Sequence, residues 1–209
     1  MIITPSLAEK AAAYLSEADP ALASIIAAHG LCTITPHTNY YWELIDSIIS
    51  QQLSVKAART IEGRFVDLFE TEFPEPEAIL AKSIEELRSV GLSSAKAKYI
   101  QDLAEHVLDG HLKFDKFDVM SNDEIITELT AVKGIGEWTA HMFLMFCMGR
   151  SDVLPVGDLG IRNGVRKVYK LDGVPTPAQV TEIATANSWH PYESIASWYI
   201  WRSLDNVPS

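Results

Sequence analysis

The sequence predicts an all-α fold of two interlocked helical lobes. Three observations carry this reading. Helix-start signals recur along the chain, apolar residues recur at spacings of three and four, and alternating strand patterns are nearly absent. Asp19-Pro20 places a capping carboxylate before a proline at the first helical position. Leu44, Ile45, Ile48 and Ile49 then trace one helical face. Ser83–Glu86 and Ser121–Glu124 read as capping boxes, and the second leads into Ile125, Ile126 and Leu129. Trp138–Met148 is an apolar helix stopped by Gly149, and Thr176-Pro177 with Gln179 repeats the capping device. Leu31–Thr35 is the one candidate extended segment. About ten to twelve short helices result, an order-of-magnitude reading of these signals.

Composition narrows the class. The 209 residues suffice for one large domain or two small interlocked ones, and 47% apolar content supports a core. No apolar run approaches the ~20 residues of a membrane span, and Met1–Ser6 lacks the basic and apolar regions of a signal peptide. Cys32 and Cys147 alone make no disulfide framework, so the expected compartment is cytoplasmic (nucleoid-associated in a bacterium, nuclear in a eukaryote). The six histidines show no metal-ligand spacing, and neither a Walker loop nor a nucleophile elbow is present. The net charge of −11 argues against a nucleic-acid partner unless the cations gather on one face. Lys56, Lys96, Lys98, Lys133, Arg162, Arg166 and Lys167 are the residues expected there.

Val132-Lys133-Gly134-Ile135-Gly136-Glu137-Trp138-Thr139-Ala140 is the most informative stretch. Two glycines flank one apolar residue, which allows a tight turn with positive φ and leaves backbone N–H groups bare. Ile135 is expected to plug inward. A helix begins at once, so its free amides and dipole face the turn, and a phosphate fits there. Taken alone, such a turn is a weak signal and is more often purely structural. Asp158 lies 22 residues after Gly136, behind Pro155-Val156-Gly157. Aspartate before a helix is ordinarily an N-cap. A carboxylate placed beside a sugar C1′ would also stabilise an oxocarbenium-like state. The two roles are compatible, since a helix N-terminus favours negative charge.

The hairpin, the Pro155–Asp158 loop and three further segments together resemble the helix-hairpin-helix DNA glycosylases, closest to the alkylation-repair branch of DNA-3-methyladenine glycosylase II. The further segments are Ile48–Ala58, Gly91–Ile100 and Trp189–Arg202, so the resemblance covers most of residues 40–202. It implies a monofunctional glycosylase that flips alkylated purines out of double-stranded DNA and hydrolyses them off, with Asp158 catalytic. Lyase members of the family carry a Schiff-base lysine two positions after the second glycine; Trp138 stands here, so no lyase activity is expected. The iron–sulphur branch needs four cysteines. Trp138 and Trp201 match aromatic pocket positions of the family, and Met142 stands where the relative has a tyrosine; Tyr40, in the cluster Tyr40-Tyr41-Trp42 ahead of Gln51-Gln52, is expected to add a wall. Trp42 and Trp198 are assigned to the core. Gln52, with Gln51 and Leu53 beside it, falls at the position that fills the hole left by a flipped base. Lys96, Lys133, Gly134, Gly136 and Thr139 complete the expected DNA contacts. The family's hairpins also hold a monovalent cation, sodium or potassium, on carbonyls that here belong to Thr130, Val132 and Ile135. No other cofactor is implied.

The expected lobes are residues 36–149, ending in the hairpin, and 1–35 with 150–209, carrying Asp158, with the substrate cleft between them. The expected protein is a monomer without a membrane partner. Three rival readings remain: a mismatch or oxidised-base glycosylase on the same fold, a non-catalytic DNA-binding module, and a protein-interaction domain. Asp158 and Trp138 together favour catalysis.

Overall fold

A computed structural model describes residues 1–69, 71 and 73–204. Among these, twelve α-helices follow in order: α1 (Pro5–Ala18), α2 (Pro20–His29), α3 (Tyr40–Ser50), α4 (Val55–Val66), α5 (Pro76–Leu80), α6 (Ile84–Ser89), α7 (Ser94–Leu108), α8 (Asn122–Thr130), α9 (Glu137–Met142), α10 (Leu159–Val168), α11 (Pro177–Ala186) and α12 (Glu193–Arg202). A 3-10 turn occupies Phe114–Val119. The only pairing of extended backbone among the described residues is an isolated antiparallel bridge between Ile2 and Arg150, and Leu31–Thr35 is irregular. None of these helices is long and apolar enough to cross a membrane.

The helix starts form as their sequences require. Asp19 accepts from Ala21 N and Leu22 N at 3.0 and 3.3 Å. Reciprocal capping boxes close at Ser83/Glu86, Ser121/Glu124 and Thr176/Gln179. The apolar helix expected over Trp138–Met148 departs from regularity. After Met142 it widens into a π-helical turn over Phe143–Cys147, closed by Met148 N to Phe143 O at 3.0 Å.

The chain divides into two compact units, residues 39–140 and residues 1–38 with 141–209. The division therefore falls after Ala140, not at 149. The backbone explains why the 141–149 stretch joins the second unit. Ile3 N donates to Gly149 O at 2.6 Å, Ser151 N to Met1 O at 2.9 Å, and His37 N to Cys147 O at 2.8 Å.

In residues 39–140, α7 packs against α3, α5 and α6. Leu44, Ile45, Ile48 and Ile49 are fully buried, as are Phe65, Leu87, Ile100, Leu103, Ile125 and Leu129. Each such aliphatic side chain contributes roughly 1.5–3 kcal/mol.

In the other unit, α1, α2, α10, α11 and α12 share a core that includes Leu15, Leu22, Ile161, Val165, Trp189 and Tyr199. Asp19, nearly inaccessible, ties its distant segments together. Beyond capping α2, its carboxylate accepts from Trp189 Nε1 at 2.9 Å and from the Tyr169 hydroxyl. The α10–α12 crossing is close because residue 164 is glycine. A Cβ there would lie 2.5 Å from Ile200 Cγ2 and 2.8 Å from the Ile200 carbonyl oxygen.

Candidate active site and hairpin

Asp158 is the N-cap of α10, and Oδ1 accepts from Ile161 N at 2.7 Å. The same oxygen accepts from Trp201 Nε1 at 3.0 Å, so a second donor, 43 positions away on α12, fixes the carboxylate. Gly160 makes that contact possible. A Cβ at 160 would stand 2.9 Å from both Asp158 Oδ1 and Trp201 Nε1. Trp201 is half-buried, and Phe146 lies 5.7 Å from it at 32°, with 37% of Phe146 exposed. Phe146 belongs to the π-helical turn, whose extra residue turns the helical register; nothing in the sequence marks that turn. Met142, half-buried, precedes it. Trp198 is a core residue, as expected, with the Arg202 guanidinium 4.8 Å above its ring.

In residues 39–140, the hairpin joins α8 to α9. Ile135 is buried at 4% exposure, as the inward plug requires. Gly134 has φ +86, and a Cβ on it would meet the Tyr99 ring at 2.2 Å. Gly136 differs from expectation: its φ is not positive, and nothing lies within 4 Å of a built Cβ. It leaves open space over the start of α9, whose first amides have no intrahelical acceptor. The Thr139 side chain is only 6% exposed in the first turn of α9, so any contact to DNA from this residue falls to its backbone N–H rather than its hydroxyl. Trp138, one position earlier, is 53% exposed.

Val132 O accepts from Ile135 N at 3.1 Å, which closes the turn and leaves a second lone pair on that carbonyl. Thr130 ends α8, with its hydroxyl bonded to Ile126 O at 2.7 Å. Thr130, Val132 and Ile135 offer only neutral carbonyl oxygens, and no carboxylate, histidine or cysteine cluster able to hold a metal occurs among the described residues. That donor chemistry fits a hard monovalent cation rather than zinc or a transition metal.

Tyr40 is half-buried in an aromatic group of its own unit. It stacks on Phe117 at 6.3 Å, meets Phe114 edge-on and bonds Asp118 Oδ1 at 3.5 Å. Trp42 packs on Phe65 and Phe73. Gln52 and Leu53 are exposed at the α3–α4 turn, where Gln52 has φ +57. Gln51 is turned the other way, its Nε2 donating to Gly134 O at 2.9 Å.

The cations expected on the DNA face divide. Lys56, Lys98 and Arg166 are exposed. The other four aim their charged heads at internal acceptors. Lys96 Nζ donates to Ile49 O and Gln51 O, Arg162 Nε to Pro175 O, and Lys167 Nζ to Ser203 O. Lys133 pairs with Asp102, whose carboxylate takes Lys133 Nζ at 2.5 Å and Lys133 N at 2.8 Å. Burial alone would raise the Asp102 pKa. The hydrogen bonds and charge of Lys133, with His106 nearby, outweigh it and hold the carboxyl below its usual range.

A glycine hairpin that bares helix amides, joined in one helical chain to an N-capping aspartate under an indole, defines a helix-hairpin-helix protein built to hold DNA. The chain belongs to the HhH-GPD superfamily of base excision DNA repair proteins, whose sequence profile matches residues 45–188. DNA-3-methyladenine glycosylase 1 of Schizosaccharomyces pombe is 38% identical over 165 residues, which cover 78% of this chain and 72% of the yeast protein. Two solved structures share the fold over nearly the whole chain. The DNA-3-methyladenine glycosidase of Bacillus halodurans has a TM-score of 0.84 at 35% identity, covering 97% of this chain and 90% of its own. The S. pombe 3-methyladenine DNA glycosylase bound to abasic DNA has a TM-score of 0.81 at 33% identity, covering 96% and 100%.

Proposed function

We propose that this protein is a monofunctional DNA glycosylase that removes alkylated purines, of the 3-methyladenine and 7-methylguanine type, in base excision repair. The observation that carries the reading is the Asp158 carboxylate, fixed by Ile161 N–H and the Trp201 indole N–H beside the Trp201–Phe146 pair. A flipped, cationic purine is electron-poor, and an indole face attracts it by about 1–2 kcal/mol. In the unit that carries Asp158, Trp201 and Phe146 supply such faces, with Met142 a further candidate; in residues 39–140, Trp138 and Tyr40 are candidates of the same kind.

The reaction follows from the carboxylate. As the C1′–N bond breaks, its electron pair leaves with the base, which departs neutral. Positive charge gathers on the deoxyribose, and Asp158 stabilises it. Water then adds to C1′ and gives up a proton, with Asp158 orienting the water. Position 138 carries no amine, so no Schiff base forms and the strand stays intact. The amides at Gly134–Thr139 take a backbone phosphate, and Gln52, with Leu53, enters the space the base leaves. A monovalent cation on the Thr130, Val132 and Ile135 carbonyls would add positive charge beneath that phosphate. The protein acts as a monomer on double-stranded DNA, in whichever compartment holds the chromosome.

The test is base release from DNA methylated on ring nitrogens, comparing wild type with Asp158→Asn. Asparagine caps helices as well as aspartate does, so α10 is expected to stay folded and Tm unchanged. Release is expected to fall by about 100-fold or more. Equal release by both proteins would remove Asp158 from the chemistry. Strand breaks without heat or base would overturn the monofunctional assignment, and equal excision of neutral hypoxanthine would overturn the preference for cationic bases.

A further inference from the structure

The α3–α4 turn, which the functional reading makes the wedge, is an exposed loop with a non-glycine residue in the left-handed region, Gln52 at φ +57. Such a conformation persists where the surroundings over-determine it. The turn's own backbone supplies little of this, through Leu53 N donating to Ser50 O at 3.1 Å. The rest comes from two side chains. Helix α3 ends at Ser50, so its last carbonyls lack intrahelical donors. Lys96 reaches across from α7 and donates to Ile49 O at 2.7 Å and Gln51 O at 2.6 Å. Gln51 sends its amide the opposite way, to the hairpin carbonyl of Gly134.

Helix α7 links both ends. Lys96, Tyr99 and Asp102 stand three residues apart along it and so share a face. Lys96 holds the wedge turn, the Tyr99 ring lies under Gly134, and Asp102 takes the N–H and ammonium of Lys133. One helix face thus fixes the turn and the hairpin in a single frame.

We infer that Lys96 and Gln51 are positioning residues that lock the Gln52 turn to the hairpin, rather than contacts to DNA. The inference rests on the reading of Gln52 as wedge and of Gly134–Thr139 as phosphate site. A lysine already bonded to two carbonyls has its charge directed into the protein, and moving it to a phosphate would strip the end of α3. Partial burial lowers the Lys96 pKa from the usual lysine value, the direction expected of an ammonium drawn out of solvent. The functional consequence is coupling. A phosphate seated at the hairpin sets where Gln52 enters the duplex, so the wedge arrives at the base pair beside the gripped phosphate.

Salt dependence separates the two roles. A lysine that neutralises a phosphate contributes about 0.9 to the slope of log affinity against log salt, whereas a brace contributes nothing. The experiment uses Lys96→Met, Lys96→Arg, Gln51→Leu and Gln52→Ala in the full chain. Four readouts apply: the salt slope on methylated duplex, hydrogen exchange of residues 50–54, 2-aminopurine fluorescence beside the lesion, and the single-turnover excision rate. For Lys96→Met the slope is expected to match wild type. Exchange in the turn is expected to accelerate, and flipping and excision to fall about tenfold. Lys96→Arg, which keeps donors for both carbonyls, is expected to recover most of the loss. Gln51→Leu is expected to change the same quantities in the same direction, and it carries the test if Lys96→Met does not fold. A slope lowered by about 0.9 in Lys96→Met would make Lys96 a phosphate contact and overturn the inference. Unchanged exchange in both variants would overturn it too. If Gln52→Ala flips like wild type, the wedge reading fails, while the exchange data still decide the brace.

Discussion

In residues 39–140 the exposed turns are held by side chains that bond the backbone: Lys96 donates to carbonyls at the end of α3, Gln51 donates to Gly134 O, and Asp102 accepts from Lys133 N–H. In the unit of 1–38 and 141–209, Asp158 is held where side chains are missing. Gly160 lets Trp201 reach it, and Gly164 lets α12 lie against α10. One unit presents irregular backbone and must satisfy its polar atoms one by one. The other presents one carboxylate at a helix N-terminus, held by two N–H donors that close packing brings within reach. Loss of a brace should therefore be graded, and filling a glycine should not.

Gly134 is where that contrast is most severely tested, because it is a glycine inside the braced unit. Gly134→Ala combines a positive φ with a Cβ 2.2 Å from the Tyr99 ring. Left-handed backbone costs an alanine about 1–2 kcal/mol, and overpacking adds about 1–3 kcal/mol. Thermal melting is expected to drop by roughly 5–15 °C for a chain of this size, with DNA affinity lost alongside. A melting point within 2 °C of wild type would mean that the hairpin tolerates a different backbone. Gly136→Ala is the matched control, with no positive φ and open space around it, and its stability is expected to stay within ~0.5 kcal/mol of wild type.

Gly160→Ala is expected to separate activity from stability. Alanine improves helix propensity by about 1 kcal/mol, which offsets much of the local crowding. The new methyl displaces the indole from Asp158, since both atoms lie 2.9 Å from it. One hydrogen bond to a charged group is worth about 1.5–3 kcal/mol, so excision is expected to slow about tenfold or more at nearly constant Tm. Wild-type rates in this variant would show that Trp201 does not orient Asp158.

The parts of this architecture written within four residues were legible in the sequence. The Asp19, Ser83, Ser121 and Thr176 caps, the buried stripe of α3 and the inward Ile135 all depend on neighbours along the chain. Asp158 as N-cap was legible for the same reason. The braces were not, because Lys96 and Gln51 are 45 residues apart and lysine on a helix face signals solvent or phosphate by default. Gly160 reads as an ordinary loop-to-helix glycine until Trp201 is placed against it. The burial of the Thr139 side chain was not legible either, because a hairpin sequence states where a helix begins and not which face it buries. Phe146 was missed because a π-helical turn has no sequence signature of its own.

The Asp102–Lys133 brace allows the gentlest test, since protons can remove it without mutation. Asp102 has a depressed pKa in the folded protein, so its contribution is fully present above the unfolded value, near 3.9, and is lost as pH falls through the lower folded value. Asp102→Asn keeps an acceptor for the Lys133 N–H and removes the charge. It is expected to lower stability at pH 7 by about 1 kcal/mol, a few degrees in Tm. The difference from wild type should persist down to about pH 4 and shrink below it. A difference that stayed constant below about pH 4 would show that the Asp102 charge does not carry the brace.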